Sequence, residues 1–357
     1  MPWYNDSWTK RLKVTVESSE VDEDANDFPV YVKAADLPAE FHTNVKAGGV
    51  DVRFTTSDEV TEIPREIVFY DAASDTGEFY FKGNISASVD TEFWLYYGNP
   101  AASDYAVDAT YGAENTWEAD YAGVWHMQED PSGSSPQILD STSNDEDMTS
   151  YGTMLTEDSV TGKLSGKALD FDGSNDKIFK TIGYNPNGYP FSVSLWMKPD
   201  TDGNNRAVAH YGSGGTPKME MQQHSSDIAR VYIPNAYEFG GTFVVDTWVN
   251  YCVTHGDGTG AIYLDGDPVD PIRSSILSND NSDLHIGYGE YATNDYFSGI
   301  IDEVRVSKVV RSANRMKTDH NNQNSPATFL TFGSEESGGG GGGNPWYQYA
   351  SERGVTS

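Results

Sequence analysis

Cysteine is almost missing from these 357 residues, since Cys252 stands alone. One thiol can form neither an intrachain disulfide nor a cysteine metal cluster, so the fold must rest on its core. Cys252 lies inside the apolar stretch WVNYCVTH and reads as a small core residue. Basic residues are scarce too, 23 against 55 acidic, and the formal charge of -32 is spread along the whole length. Such a surface repels nucleic acid and anionic membranes, so neither is expected as a partner. No apolar run approaches a membrane span, and the opening MPWYNDSWTKR lacks the apolar core of a signal peptide. The chain is therefore expected to be soluble and to carry no export signal. Heptads and long amphipathic helical patterns are absent as well.

What is present is aromatic and turn-forming: 22 Tyr, 15 Phe, 8 Trp and 35 Gly. With abundant Asn, Asp, Ser and Thr, this is the composition of a β-rich protein with many turns. From RLKVTVESS through FPVYVKAADL, VDVRFTTSD, IPREIVFYDA and GEFYFKGNIS to TEFWLYYGNP, short β-branched and aromatic runs alternate with turn-formers. That spacing predicts an antiparallel sandwich. The near-continuous apolar EFWLYYG predicts a strand covered on both faces or an aromatic girdle. Residues 109–118 are small, polar and weakly patterned, and are expected to be a boundary segment.

A second set of strands follows, from VWHMQE to GIIDEVRVSK. In FSVSLWMKP, Phe191, Val193, Leu195 and Met197 fall on one face and Ser192, Ser194 and Trp196 on the other, the period of two of a packed strand. Asp265-Gly266 separates two apolar runs and predicts a two-residue hairpin turn. Ser312 is a candidate N-cap for a helical turn in RSANRMKTDHNNQ. Six glycines, Gly338 to Gly343, then form a flexible link ahead of residues 344–357.

Residues 1–108 resemble the DUF2341 family through WYNDSWTKRLKVTV, GGVDVRFTTSDEVTEIPREIVFYD and the closing TEFWLYYGNPAA. Residues 119–336 resemble laminin-G-like, concanavalin A-like domains through GKALDFDGSNDKI, FSVSLWMKPD, WVNYCVTHGDGTGAIYLDGDPV and FSGIIDEVRVSKVVRS, in that order. The resemblance implies an all-β chain of two antiparallel, jelly-roll-like sandwiches in tandem, with a flexible C-terminal tail. It also implies glycan or protein binding through one rim or one sheet face, often with calcium. Fold similarity does not name a ligand.

Calcium needs several hard oxygens at one point. Asp140, Asp172, Asp176 and Asp302 occupy family-motif positions and are the expected structural Ca2+ ligands, each with a plainer reading as a turn cap. Sugar binding needs aromatic rings beside hydrogen-bonding side chains. Tyr211, Tyr237, Tyr288, Tyr291 and Tyr296 lie in loop-like stretches, and the rim formed by Tyr288, Tyr291, Asn294 and Tyr296 is the expected ligand site. No strand carries the alternating carboxylates of a glycoside hydrolase on this fold, so no catalytic residue is assigned. His126, His210 and His255 are expected to pack or hydrogen-bond.

Both resembled families are extracellular in type, yet the opening carries no export signal. A virus particle reconciles the two, because its proteins assemble inside the host and are exposed after lysis. The expectation is a non-catalytic fibre or decoration protein of a tailed virus, homo-oligomeric and binding glycans or a host surface. A fragment of a secreted or cell-surface prokaryotic adhesin is the alternative, and a polysaccharide-active enzyme the less favoured third reading. Pro345-Trp346-Tyr347 repeats Pro2-Trp3-Tyr4 but lacks the following strand pattern. Residues 344–357 are therefore expected to be a docking peptide with Trp346, Tyr347 and Tyr349 as anchors into a larger assembly.

Overall fold

A computed structural model describes residues 3–184, 190–200, 206–211, 219–233, 236–256, 259–272, 283–289 and 295–338. Tyr291, Asn294, Trp346, Tyr347 and Tyr349 lie outside the described residues. The described residues form four almost entirely antiparallel sheets of six, three, eight and nine strands. The all-β expectation holds.

The sheets stack as four layers. The first contains Lys10–Val16 and Thr91–Tyr97, and the second contains Ala25–Lys33, Thr76–Ile85 and Arg65–Asp71. Alternation aims Leu12, Val14, Phe93 and Leu95 of the first at Phe28, Val30, Phe79 and Phe81 of the second, closing one sandwich core. Trp94 and Tyr96 point the other way, where Trp3, Tyr4 and Trp8 cover them, so EFWLYYG is indeed enclosed on both faces. The third sheet, with Phe191–Pro199, Val249–Gly256 and Ser298–Ser307, packs on the fourth, with Met219–His224, Ile228–Ile233 and Asp283–Ile286. Phe191, Val193, Leu195 and Met197 all enter that second core.

The turn at Asp265-Gly266 forms as the sequence requires, with φ of 51° and 79° between the paired strands Thr259–Leu264 and Asp267–Pro271. Ser312 caps a helix, Ala313–Asn324, its side chain accepting the Arg315 N–H at 2.9 Å. This is a twelve-residue helix rather than a single turn. It covers the outer side of the third sheet: Met316 packs on Cys252 and Tyr263, and His320 lies over Trp196 with ring centroids 5.4 Å apart.

Two segments depart from the expected partition. Residues 109–118 do not behave as a spacer, because Trp117 is buried with Tyr31, Tyr80, Tyr121 and Val124 between the second and third sheets. Leu330–Phe332 and Glu336–Ser337 do not complete the second sandwich; both pair with Lys10–Val16 in the first. The short helix Pro326–Phe329 carries the chain back, and Phe329 stacks on Phe28. The first and last described strands thus share one sheet.

Burial lowers the His320 imidazole to about 4, outweighing the charge of Asp265. Between pH 6.5 and 4 the unfolded chain binds this proton and the folded chain does not, so the contribution present above pH 6.5 is lost as pH falls toward 4. Replacing His320 by Phe, which keeps a ring on Trp196, is expected to shrink the stability loss between pH 7 and pH 4.5 by about 2 kcal/mol. Urea melts of both proteins at the two pH values check this; equal losses contradict it.

Candidate functional site

The fourth sheet buries Met219, Met221, Ala229, Val231, Leu284 and Ile286 against the third. The residues between them therefore face outward. Register gathers these residues into a band. Tyr237 lies opposite Tyr232 and Phe239 opposite Arg230, while Arg230 lies opposite Gln222 on its other side. Farther across, Phe179 lies opposite His285 and Lys177 opposite Tyr151. Tyr288 and Tyr296 pair in a short ladder, their ring centroids 4.7 Å apart.

Cations are seated among these rings. The Arg230 guanidinium stands 4.8 Å from the Tyr237 centroid, and the Lys177 ammonium 4.3 Å from that of Tyr288. Each such contact contributes roughly 0.5–1 kcal/mol where solvent reaches it. Arg230 Nε donates to Gln222, whose amide donates to Glu220, and both acceptor residues are fully buried. The polar floor is thereby fixed, while Tyr237, Phe239 and Tyr151 stay 39%, 45% and 45% exposed. Exposed rings held on such a floor can stack on sugar faces.

Tyr288 and Tyr296 of the expected rim stand on this band, both half-buried. Tyr237 lies in a strand, Ala236–Thr242, and not in a loop. Phe239, Arg230, Lys177 and Tyr151 went unassigned from sequence. The alternation in ARVYI, where Ala229 and Val231 point inward, was the signal that places Arg230 and Tyr232 outward.

Of the four aspartates expected to hold calcium, Asp172 and Asp176 share one turn, where each accepts the other's N–H. Asp140 accepts the N–H groups of Val124, Thr142 and Glu146. Asp172 caps the N–H groups of Ser174 and Asn175, and Asp176 accepts that of Thr153. Asp302 accepts the N–H groups of Lys163 and Leu164 at the buried interface between the two sandwiches. Their oxygens satisfy backbone donors, the plainer role such residues have. Among the described residues they form no common ligand cluster.

A different cluster does form, where the second sheet meets the third. Glu303 takes φ of 53°, and the pairing register with Phe191–Pro199 breaks beside it. This bulge sends Ile301 and Val304 into the core and leaves the consecutive Asp302 and Glu303 on the interface side. Glu303 contacts His126 Nδ1 closely and accepts from Arg305 at 2.7 Å, Tyr80 at 3.1 Å and Gln323 at 3.1 Å. The other His126 nitrogen lies 3.4 Å from Glu66, which also accepts from Trp117. Burial disfavours charge on His126, but Glu303 and Glu66 outweigh it and hold the imidazole well above its ordinary value. Burial likewise opposes the Glu303 carboxylate, which His126 and Arg305 nevertheless keep well below the usual range. Expected only to pack or hydrogen-bond, His126 proves to be the centre of this network. A cleft of about 310 Å³, lined by Glu66, His126, Gln128, Glu129, Asp140 and Asp147 among others, opens alongside.

Residues 172–340 match the concanavalin A-like lectin/glucanases superfamily, and residues 48–117 match DUF2341, a domain of unknown function. The DUF2341 match thus precedes the concanavalin A-like match along the chain. Apart from Tyr151, the exposed aromatic band lies within residues 172–340, and the interface cluster joins Glu303 of that stretch to Glu66 of residues 48–117 through His126. Over 166 residues the chain is 25% identical to adhesion G-protein coupled receptor V1 of Danio rerio, covering 41% of this chain and 3% of the receptor. Among solved structures, domain 4 of AbnA, a GH43 extracellular arabinanase from Geobacillus stearothermophilus, superposes with a TM-score of 0.45 at 19% identity, covering 57% of this chain and 99% of that one. The binding domain of botulinum neurotoxin DC superposes with a TM-score of 0.44 at 12% identity, covering 57% and 51%.

Proposed function

We propose that this chain is a non-catalytic adhesion module that binds glycans on the outer face of the fourth sheet. The observation that carries the reading is the band itself: Tyr237, Phe239 and Tyr151 remain exposed on a rigid sheet beside seated Arg230 and Lys177. A folding core has no use for exposed rings held in register, whereas a sugar ring needs such platforms. The match of residues 172–340 to a superfamily named for lectins and glucanases, and likeness to an adhesion receptor, support a binding role on an exposed surface.

A glycan array probed with the whole chain tests this reading. Binding of at least one glycan class is expected, with Phe239→Ala and Tyr237→Ala each weakening it about tenfold, near 1.4 kcal/mol per ring. Unchanged binding in both variants would move the site elsewhere, and release of reducing ends from the bound glycan would make the chain an enzyme. The finer placement on a virus particle is part of the proposal. Recovery of the chain in purified particles is the expected result, and recovery only with host envelopes overturns it.

A further inference from the structure

We propose that Glu78, His126 and Glu303 bind one first-row divalent cation and that this ion pins the two sandwiches together. One ligand atom from each of the three lies within 4.8 Å of the others, and all three side chains are buried. Zinc holds its nitrogen and oxygen ligands at about 2.0–2.2 Å, which separates tetrahedral ligands by about 3.4 Å. Small side-chain rotations close the remaining gap.

A second observation points to a ligand here. Glu78 is fully buried, and while one carboxylate oxygen accepts the Gly166 N–H, the other, Oε2, has no hydrogen-bond partner. An enclosed carboxylate oxygen without a donor is costly unless it takes up a proton or a cation reaches it. The cleft beside His126, lined by carboxylates, supplies an entry path.

The donor set selects the class of ion. An imidazole nitrogen with two carboxylates suits zinc or manganese better than calcium, which takes six to eight oxygens. Glu78 comes from the DUF2341 part, whereas His126 and Glu303 come from strands of the third sheet and their continuation. The ion would therefore bridge the two domains. It is distinct from the ligand face, which lies on the far side of the second core.

The test uses the whole chain, stripped with chelator and titrated with Zn2+ by calorimetry. One equivalent is expected to bind, with a rise in melting temperature. Glu78→Gln, which keeps an acceptor for the Gly166 N–H, and His126→Asn are each expected to weaken binding at least tenfold and to abolish that rise, while Asp172→Asn changes neither. Absence of stoichiometric binding overturns the proposal, as does a Glu78→Gln protein that binds within threefold of wild type. Should a variant fail to fold, zinc-edge X-ray absorption of the wild-type chain decides: one imidazole among oxygen neighbours supports the site, and an all-oxygen shell refutes it.

Discussion

A chain ending at Ser325 loses its first sandwich while keeping the second folded. The first core is closed by residues more than 300 positions away in the chain: Phe329 and Leu330 are buried among Leu12, Val14, Val16 and Phe28. Leu330–Phe332 supplies the ladder partner of Val14–Val16. Glu335 and Glu336 pair with Lys10 and Arg11, and Glu335 also accepts from Tyr97. Removing a buried Phe alone costs about 3–5 kcal/mol. Adding Leu330 and the freed backbone edge brings the total to the order of a whole domain's stability, roughly 5–15 kcal/mol. Hydrogen exchange checks this: amides of Lys10–Val16 and Ala25–Lys33 are expected to lose protection in the truncated chain, while those of Val249–Gly256 keep it. Phe329→Ala should give a milder version, about 3–5 kcal/mol by denaturant melt. Wild-type protection in the truncated chain would mean that the closing strand is an accessory.

How much of this was legible depended on whether the signal was local. Alternation in FSVSLWMKP named its core face correctly because strand geometry forces a period of two. Asp265-Gly266 was readable because its two positions require positive φ. The closing strand was not readable, since TFLTF carries no mark of which sheet it will join. The helix Ala313–Asn324 was read only as a turn, because Met316 is its one large apolar residue and its buried side chains include Thr318, Asn322 and Gln323. Those groups bury by hydrogen bonding: Asn322 bonds the backbone of Pro29 and Tyr31, and Gln323 bonds Trp196 and Glu303.

The two site readings divide in the same way. Tyr237, Tyr288 and Tyr296 drew notice as aromatics among polar neighbours, but the band that joins them exists only through pairing of distant strands. Asp302 is legible as an acidic residue in a family motif, whereas its neighbour Glu303 carries no such mark. Two adjacent residues of a regular strand face opposite ways. Only the bulge, with a glutamate at positive φ, brings both to the interface, and nothing in IIDEVRV announces it.

Replacing Arg305 by Met should be among the most damaging single changes in the molecule. The guanidinium donates to Glu303 at 2.7 Å and to Tyr80 at 3.0 Å, and lies 5.0 Å from the Trp117 ring centroid. Methionine keeps most of the apolar contact and removes the charge, so the loss falls on Glu303, a buried carboxylate left with His126 as its charged neighbour. Breaking a buried pair from one side costs about 3–5 kcal/mol, because the surviving charge has lost a partner. If that is the cause, Glu303→Gln in the same chain should recover part of the loss. The two changes should couple by about 2 kcal/mol in a double-mutant cycle. Melts in chelator, which keep any bound ion from entering the comparison, provide the four values. Additive losses would mean that Arg305 acts through its stacking on Trp117 and Tyr80. A recovered double variant would mean that the interface is held by neutralising Glu303, the residue the bulge turns away from the core.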